Sequence, residues 1–211
     1  MPALDTIRSI AILRGITAQE IPAVGEALAE AGVDIIEVTL NTPGALPMIE
    51  TLAKMPLANT LIGAGTVTRT EQAQQVADAG GKIAISPNTD AAVIKASKAA
   101  GLISLPGFLT PTEAYAALNA GADGLKLFPC EMASPAALKA MKAILPPELP
   151  VFAVGGVGAH NAADFLEVGA QGLGVGSAIY KAGKSIEQVS EDARRLVEVL
   201  SSTESGDKTD G

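Results

Sequence analysis

Two ionisable residues stand in runs that should be buried. In "GADGLKLFPCE" (residues 121–131), Lys126 lies between Leu125 and Leu127 and just before Phe128. In "DIIEVTL" (34–40), Glu37 lies between Ile36 and Val38. An ionised ammonium or carboxylate in an apolar interior carries an effective penalty of several kcal/mol. Either the Lys126 strand lies at an edge and the side chain snorkels to water, or the lysine is kept as a neutral amine to act as a nucleophile. Lowering a lysine from its reference near 10.4 to about 7 corresponds to about 4 kcal/mol, which burial can supply. Glu37 is open to two readings: an ion-pair partner for Lys126 or Arg14, or a general acid and base beside the amine.

Other residues with chemical potential sit at the ends of apolar runs. Arg14 in "ILRGI" can grip a carboxylate or phosphate bidentately, or orient Glu37. Thr66 in "IGAGTV" can hydrogen-bond a substrate carboxylate or serve the fold alone. The glycine-rich "VGGVG" and "GLGVGSAIY" expose backbone N–H groups at Gly156, Gly176 and Ser177, beside a short helix expected to start near Ser177. That is equipment for an anion such as phosphate. The glycine spacing is not that of a dinucleotide-binding loop. The single cysteine, Cys130, excludes an intrachain disulfide and a cysteine-rich metal site, and the one histidine, His160, has no evident link to it.

The elements that must carry these residues repeat along the chain. Apolar segments recur at 9–13, 34–40, 61–67, 82–86, 102–107, 124–129, 151–157 and 172–178. Between them lie Ala-rich stretches of helical spacing. Thr17, Thr70, Thr110 and Ser134 read as N-caps, with Glu20 and Glu113 completing capping boxes. "EAGVD", "DAGGK", "AAGLI", "NAGAD" and "VGAQG" each place a glycine where a left-handed helix end belongs. Continuous apolar strands mark a parallel sheet covered on both faces. Eight such strands alternating with helices predict a single-domain (β/α)8 TIM barrel over residues 1–200, with a doubly wound open sheet as the alternative. In a barrel, Arg14, Glu37, Thr66 and Lys126 fall at or near strand C-terminal ends, and strand parity points Lys126 inward with Gly124 and Phe128. A closed barrel has no edge strand, which favours the nucleophile. Parity also puts Val154 on the inward face with Phe152 and Gly156.

Composition narrows the partners. The net charge of −8 argues against nucleic acid and anionic membranes. Aromatics are 3% against 48% hydrophobic, so small aliphatic side chains must build the core. No basic-then-apolar leader opens the chain and no run approaches a membrane span. A cytoplasmic protein is expected, ending in a disordered polar tail over residues 201–211.

Taken in order, "AILRGI", "IEVTLNTP", "IGAGTV", "SPN", "LPGFLTPTEA", "LKLFP", "AVGGV" and "GLGVGSAIY" resemble the class I aldolases of 2-keto-3-deoxy-6-phosphosugar acids, from about residue 8 to residue 200. Within that family the 2-dehydro-3-deoxy-6-phosphogalactonate branch is nearest, since the gluconate branch usually has Arg where this chain has Asn41 and Thr where it has Val154. The resemblance implies a Schiff-base lysine at Lys126 and a proton shuttle at Glu37. It implies substrate contacts at Arg14, Thr66, Val154 and Asn41, and phosphate contacts at Gly156, Gly176 and Ser177. It also implies cleavage to pyruvate and D-glyceraldehyde 3-phosphate, a homotrimer, and no metal or organic cofactor. A gluconate or 4-hydroxy-2-oxoglutarate aldolase of the same family, or a non-catalytic phosphosugar-binding barrel, are the competing readings.

Overall fold

The apolar runs fold as short parallel strands in a computed structural model that describes residues 4–202. In chain order they are β1 (Ser9–Leu13), β2 (Ile35–Thr39), β3 (Leu61–Gly65), β4 (Ile83–Ile85), β5 (Ile103–Leu105), β6 (Gly107–Phe108), β7 (Leu125–Leu127), β8 (Val151–Val154) and β9 (Gly172–Val175). Helices alternate with them: α1 (Ile21–Glu30), α2 (Ala45–Lys54), α3 (Thr70–Asp78), α4 (Ala91–Ala99), α5 (Pro111–Asn119), α6 (Pro135–Lys142), α7 (Ala162–Leu166) and α8 (Ile186–Ser202). The sheet order β5-β4-β3-β2-β1-β9-β8-β7-β6 is that of a TIM barrel with one stave in two pieces.

The divided stave departs from the expected eight strands. The run at 102–107 breaks at Pro106, which has no N–H to give a ladder. β5 pairs with β4, and β6 pairs with β7. The barrel still closes across the break, because Asp123 N–H donates to Ser104 O at 3.0 Å and Lys126 N–H donates to Pro106 O at 2.9 Å. Lys126 therefore sits against the seam.

Strand parity sorts two cores. Inward side chains, among them Ile10, Ile35, Leu61, Ile83, Leu105 and Phe152, fill the barrel, and Leu4 and Ile7 plug its N-terminal end. Outward residues such as Leu13, Val38, Leu125 and Leu127 pack beneath the helices in a larger cluster. Burying each Val, Leu, Ile or Phe contributes about 1.5–3 kcal/mol. Gly124 faces inward as expected, but a methyl there would lie 3.1 Å from Leu105 and 3.2 Å from Leu4. The space beside it is filled by these two side chains and the Pro150 carbonyl.

Helix ends follow the sequence. Gly32, Gly80, Gly101, Gly121 and Gly169 all take positive φ after their helices. Thr110 and Glu113 form the expected capping box, and Ser134 Oγ accepts from Ala137 N–H. Two caps differ. Thr17 exchanges bonds with Glu20, but α1 begins only at Ile21. Thr70 is the first residue of α3, and the Gln72 carboxamide takes the N–H groups of Thr68 and Arg69 instead. α8 runs through Ser202, into the stretch expected to be tail, and residues 203–211 lie outside the described residues. Among the described residues no helix is long and apolar enough to cross a membrane.

Candidate active site

β7 and β2 present the two buried charges to the barrel interior. Lys126 is 5% exposed and Glu37 1%. The Lys126 Nζ lies 4.7 Å from the centroid of the Phe128 ring, a cation–π distance. Burial pushes the Lys126 amine below its usual value, opposed by the Glu37 charge and reinforced by Arg14. Burial likewise pushes the Glu37 carboxyl up, opposed by Lys126 and Arg14. Each group is thus driven toward its neutral form, and each feels the other's field.

Glu37 is accommodated by what it faces. Its register partner on β3 is Gly63, and two residues on, a methyl at Gly65 would lie 2.4 Å from Glu37 Oε1. Only glycine leaves room there for the carboxylate. Oε2 is buried with no hydrogen-bond partner, which costs about 1–3 kcal/mol or more for a charged group. An orphaned acceptor held in a barrel within the field of an amine is suited to take and return protons. Such pairs of oppositely shifted groups mark acid–base sites.

Arg14 follows β1 and is exposed, and its loop is held from two sides. Gly15 N–H donates to Thr42 Oγ1 at 2.9 Å, and the Thr42 and Thr39 hydroxyls meet at 3.0 Å. Across the mouth, the Tyr180 hydroxyl donates to Glu20 Oε1 at 3.1 Å, and Glu20 in turn takes the Thr17 N–H and hydroxyl. Burial, and then that bond and the Glu20 charge, push the Tyr180 phenol up to about 12. Thr66, after β3, is half-buried at φ +58°. A β-branched residue in that region is strained by about 1–3 kcal/mol, a cost that concentrates at functional sites.

A cavity of about 480 Å³ opens at the C-terminal ends of β1, β7, β8 and β9. Arg14, Val154, Gly156, Gly176 and Ser177 line it, together with Phe128. Lys126, Glu37 and Thr66 are not in its lining. The link is Phe128, whose ring contacts the amine and also faces the cavity. The short helix expected at Ser177 is a single turn, with Ile179 and Tyr180 N–H bonding Gly176 O. Asn41 is exposed in a second cleft of about 410 Å³ with Thr42, Gly44 and Arg69, apart from the other candidates. Sequence reasoning missed Glu131, Tyr180, Lys181 and His160 as cavity residues. Loop residues carry no periodicity that would have placed them, though a charged Glu131 four residues beyond the strand bearing Lys126 was a usable signal. Cys130 is inert packing: burial pushes its thiol up to about 11, and Sγ donates to Leu127 O.

A buried amine and carboxylate inside a TIM barrel, beneath a glycine-lined mouth, are equipment suited to lyase chemistry through an imine. Residues 2–198 match the KDPG and KHG aldolase family. The chain is 46% identical to the probable 2-dehydro-3-deoxy-6-phosphogalactonate aldolase of Rhizobium meliloti (strain 1021), covering 87% of each chain. It is 42% identical to the 2-dehydro-3-deoxy-6-phosphogalactonate aldolase of Escherichia coli (strain K12), over 89% of this chain and 92% of that one. A solved native KDPGal structure superposes with a TM-score of 0.92 at 39% identity, covering 95% of this chain and 97% of the other. The chain belongs to the KDPG and KHG aldolase family, and it is a carbon–carbon lyase.

Proposed function

We propose that the protein cleaves 2-dehydro-3-deoxy-6-phosphogalactonate to pyruvate and D-glyceraldehyde 3-phosphate through a Schiff base on Lys126. The observation that carries this reading is the buried Lys126 amine sharing a field with the buried Glu37 carboxyl, whose Oε2 has no hydrogen-bond partner. Neutral Lys126 attacks the C2 ketone to give a carbinolamine. Glu37, able to hold a proton because burial raises it, protonates the departing hydroxyl, and water leaves an iminium. The Glu37 carboxylate then takes the C4 hydroxyl proton. The C3–C4 bond breaks, its electrons move to the iminium, and an enamine and the aldehyde result. Glu37 returns its proton to C3, and hydrolysis frees pyruvate and the amine.

Arg14 and Thr66 bind the substrate at the mouth, and Gly156, Gly176 and Ser177 seat the phosphate in the cavity. Val154, 3% exposed in the same lining, sets the wall met by the C4 hydroxyl. Asn41 acts from its own cleft, beside the Thr42 that anchors the Arg14 loop. The working unit is a homotrimer, as the family resemblance implies, and the exposed Tyr115 and Ile144, joined through the Tyr115 hydroxyl and Ile144 O, offer apolar surface for a partner copy. A cytoplasmic location fits substrates and products whose charge keeps them from crossing membranes unaided.

Borohydride reduction in the presence of pyruvate tests the chemistry: a stable adduct mapped to Lys126 is expected, and none forms on a non-catalytic barrel. Comparing kcat/KM for the galactonate and gluconate epimers tests the substrate. A gluconate preference would assign the protein to the other branch.

A further inference from the structure

Glu131 is unused by this mechanism, yet it stands in the cavity read as the phosphate seat. It lies on the 3-10 turn Cys130–Met132, exposed to solvent, and is the one carboxylate in a lining that also holds Arg14 and Lys181. Its carboxylate lies against the turn of two consecutive glycines, Gly155 at φ +97° and Gly156 at φ +64°. A methyl on Gly155 would lie 2.4 Å from Glu131 Oε2, and one on Gly156 2.9 Å from Glu131 Cγ. The ion pairs Lys54–Glu50, Arg69–Glu71, Lys98–Asp123 and Lys184–Asp192 leave Glu131 out. Water meets the charge of an exposed carboxylate, so no ion pair fixes this one in place. This one rests by shape on an anion-ready turn, at the far end of a flexible, exposed side chain that rotation alone can remove.

We propose that Glu131 is a specificity-determining residue. Its carboxylate occupies, in the free enzyme, the place on the Gly155–Gly156 turn that the substrate's terminal phosphate takes, and it must swing out when a phosphorylated substrate binds. The inference rests on the reading of this cavity as the phosphate seat. Even displaced, the carboxylate remains a like charge near a phosphate dianion. It therefore weakens phosphorylated substrates relative to ones with an uncharged terminus, and lets the cavity admit both.

The test is Glu131→Gln, which keeps the shape and removes the charge. Wild type and variant are assayed with 2-dehydro-3-deoxy-6-phosphogalactonate and with its dephosphorylated counterpart, using inorganic phosphate as inhibitor at low and high salt. The ratio of kcat/KM, phosphorylated over dephosphorylated, should rise about three- to tenfold, and the inhibition constant for phosphate should fall by a similar factor. Both gains should shrink with salt, since the site is exposed. An unchanged or lower ratio, with phosphate still competing in the wild type, overturns the role of Glu131 and leaves the phosphate seat standing. Phosphate that competes with neither enzyme overturns the seat itself, and this inference with it.

Discussion

The interior and the mouth of the barrel solve opposite problems. Inside, Lys126 and Glu37 are carried on strands, 5% and 1% exposed. At the mouth, Arg14, Ser177 and Glu131 are exposed on loops, and the backbone turns on glycines. Burial makes the interior charges costly, and that cost drives both groups toward neutrality and makes them reactive. Exposure makes the mouth charges nearly free, so they can recognise a charged ligand without perturbing the fold. On the proposed reading, reaction chemistry is held by desolvated strands, and recognition by exposed loops.

That contrast breaks most completely at Lys126. Lys126→Ala should lower cleavage by about 10⁴-fold or more, because Lys126 is the one buried lysine among the described residues. The variant should still fold. Removing the lysine takes away a charge that lowers Glu37, so the carboxyl stays protonated more readily. A carboxyl whose folded value is raised contributes stability that is present below its ordinary value of 4.5 and lost as pH rises through the folded value. The variant should accordingly melt at a lower temperature as pH rises through that window, and a flat profile would show that Glu37 is not desolvated as described.

Glu37→Gln comes next in size. Proton transfer contributes about 10²–10⁴-fold, and kcat should fall within that range while inhibition by inorganic phosphate stays nearly constant. A rise confined to KM would make Glu37 a binding residue. The same variant tests the shared field. The Glu37 charge raises Lys126 against burial, so its loss should move the pH midpoint of pyruvate-dependent borohydride trapping further down, both midpoints lying below the ordinary lysine value of 10.5. No movement, or movement upward, would mean the two groups do not sense each other.

At the mouth the effects should be smaller and fall on KM. Ser177→Asp places a like charge among the Gly176–Tyr180 turn groups and should raise KM for the phosphorylated substrate about tenfold, with the dephosphorylated one affected less. Equal losses for both would move the phosphate elsewhere.

How much of this was legible in sequence follows the same division. Strand residues obey a period of two, so parity placed Lys126 with Phe128 and Val154 with Phe152 on the interior side. The five glycine helix ends were legible because only a residue without Cβ takes that conformation cheaply. The break at Pro106 carried a signal too, a proline inside a strand run, but the apolar residues around it masked it. Loops have no period. Asn41 and Thr42 are neighbours, yet Thr42 turns inward to Thr39 and Gly15 while Asn41 faces another cleft. Glu131 meets Gly155 across two loops from successive staves, a contact fixed only by closure of the barrel.

Val154 lies where the two regions meet, and the smallest effect is expected there. It ends β8 among the interior aliphatics, is 3% exposed, and still lines the cavity. Opposite it, Gly174 on β9 makes the space: a methyl there would lie 2.7 Å from Val154 Cγ2. A threonine of nearly the same shape therefore fits where valine does. The galactonate and gluconate substrates differ in the configuration at C4, so their hydroxyls point at different parts of the wall. Valine offers methyl groups only and cannot bond either hydroxyl. Val154→Thr should shift the ratio of kcat/KM toward the gluconate epimer by about one hydrogen bond, roughly 1 kcal/mol or somewhat under tenfold. The added hydroxyl is buried in the free enzyme, so the variant should also lose about 1 kcal/mol of stability unless substrate is bound. Measuring both epimers in wild type and variant decides the matter, and an unchanged ratio would move the discrimination out of the barrel wall, with Asn41 the next residue to replace.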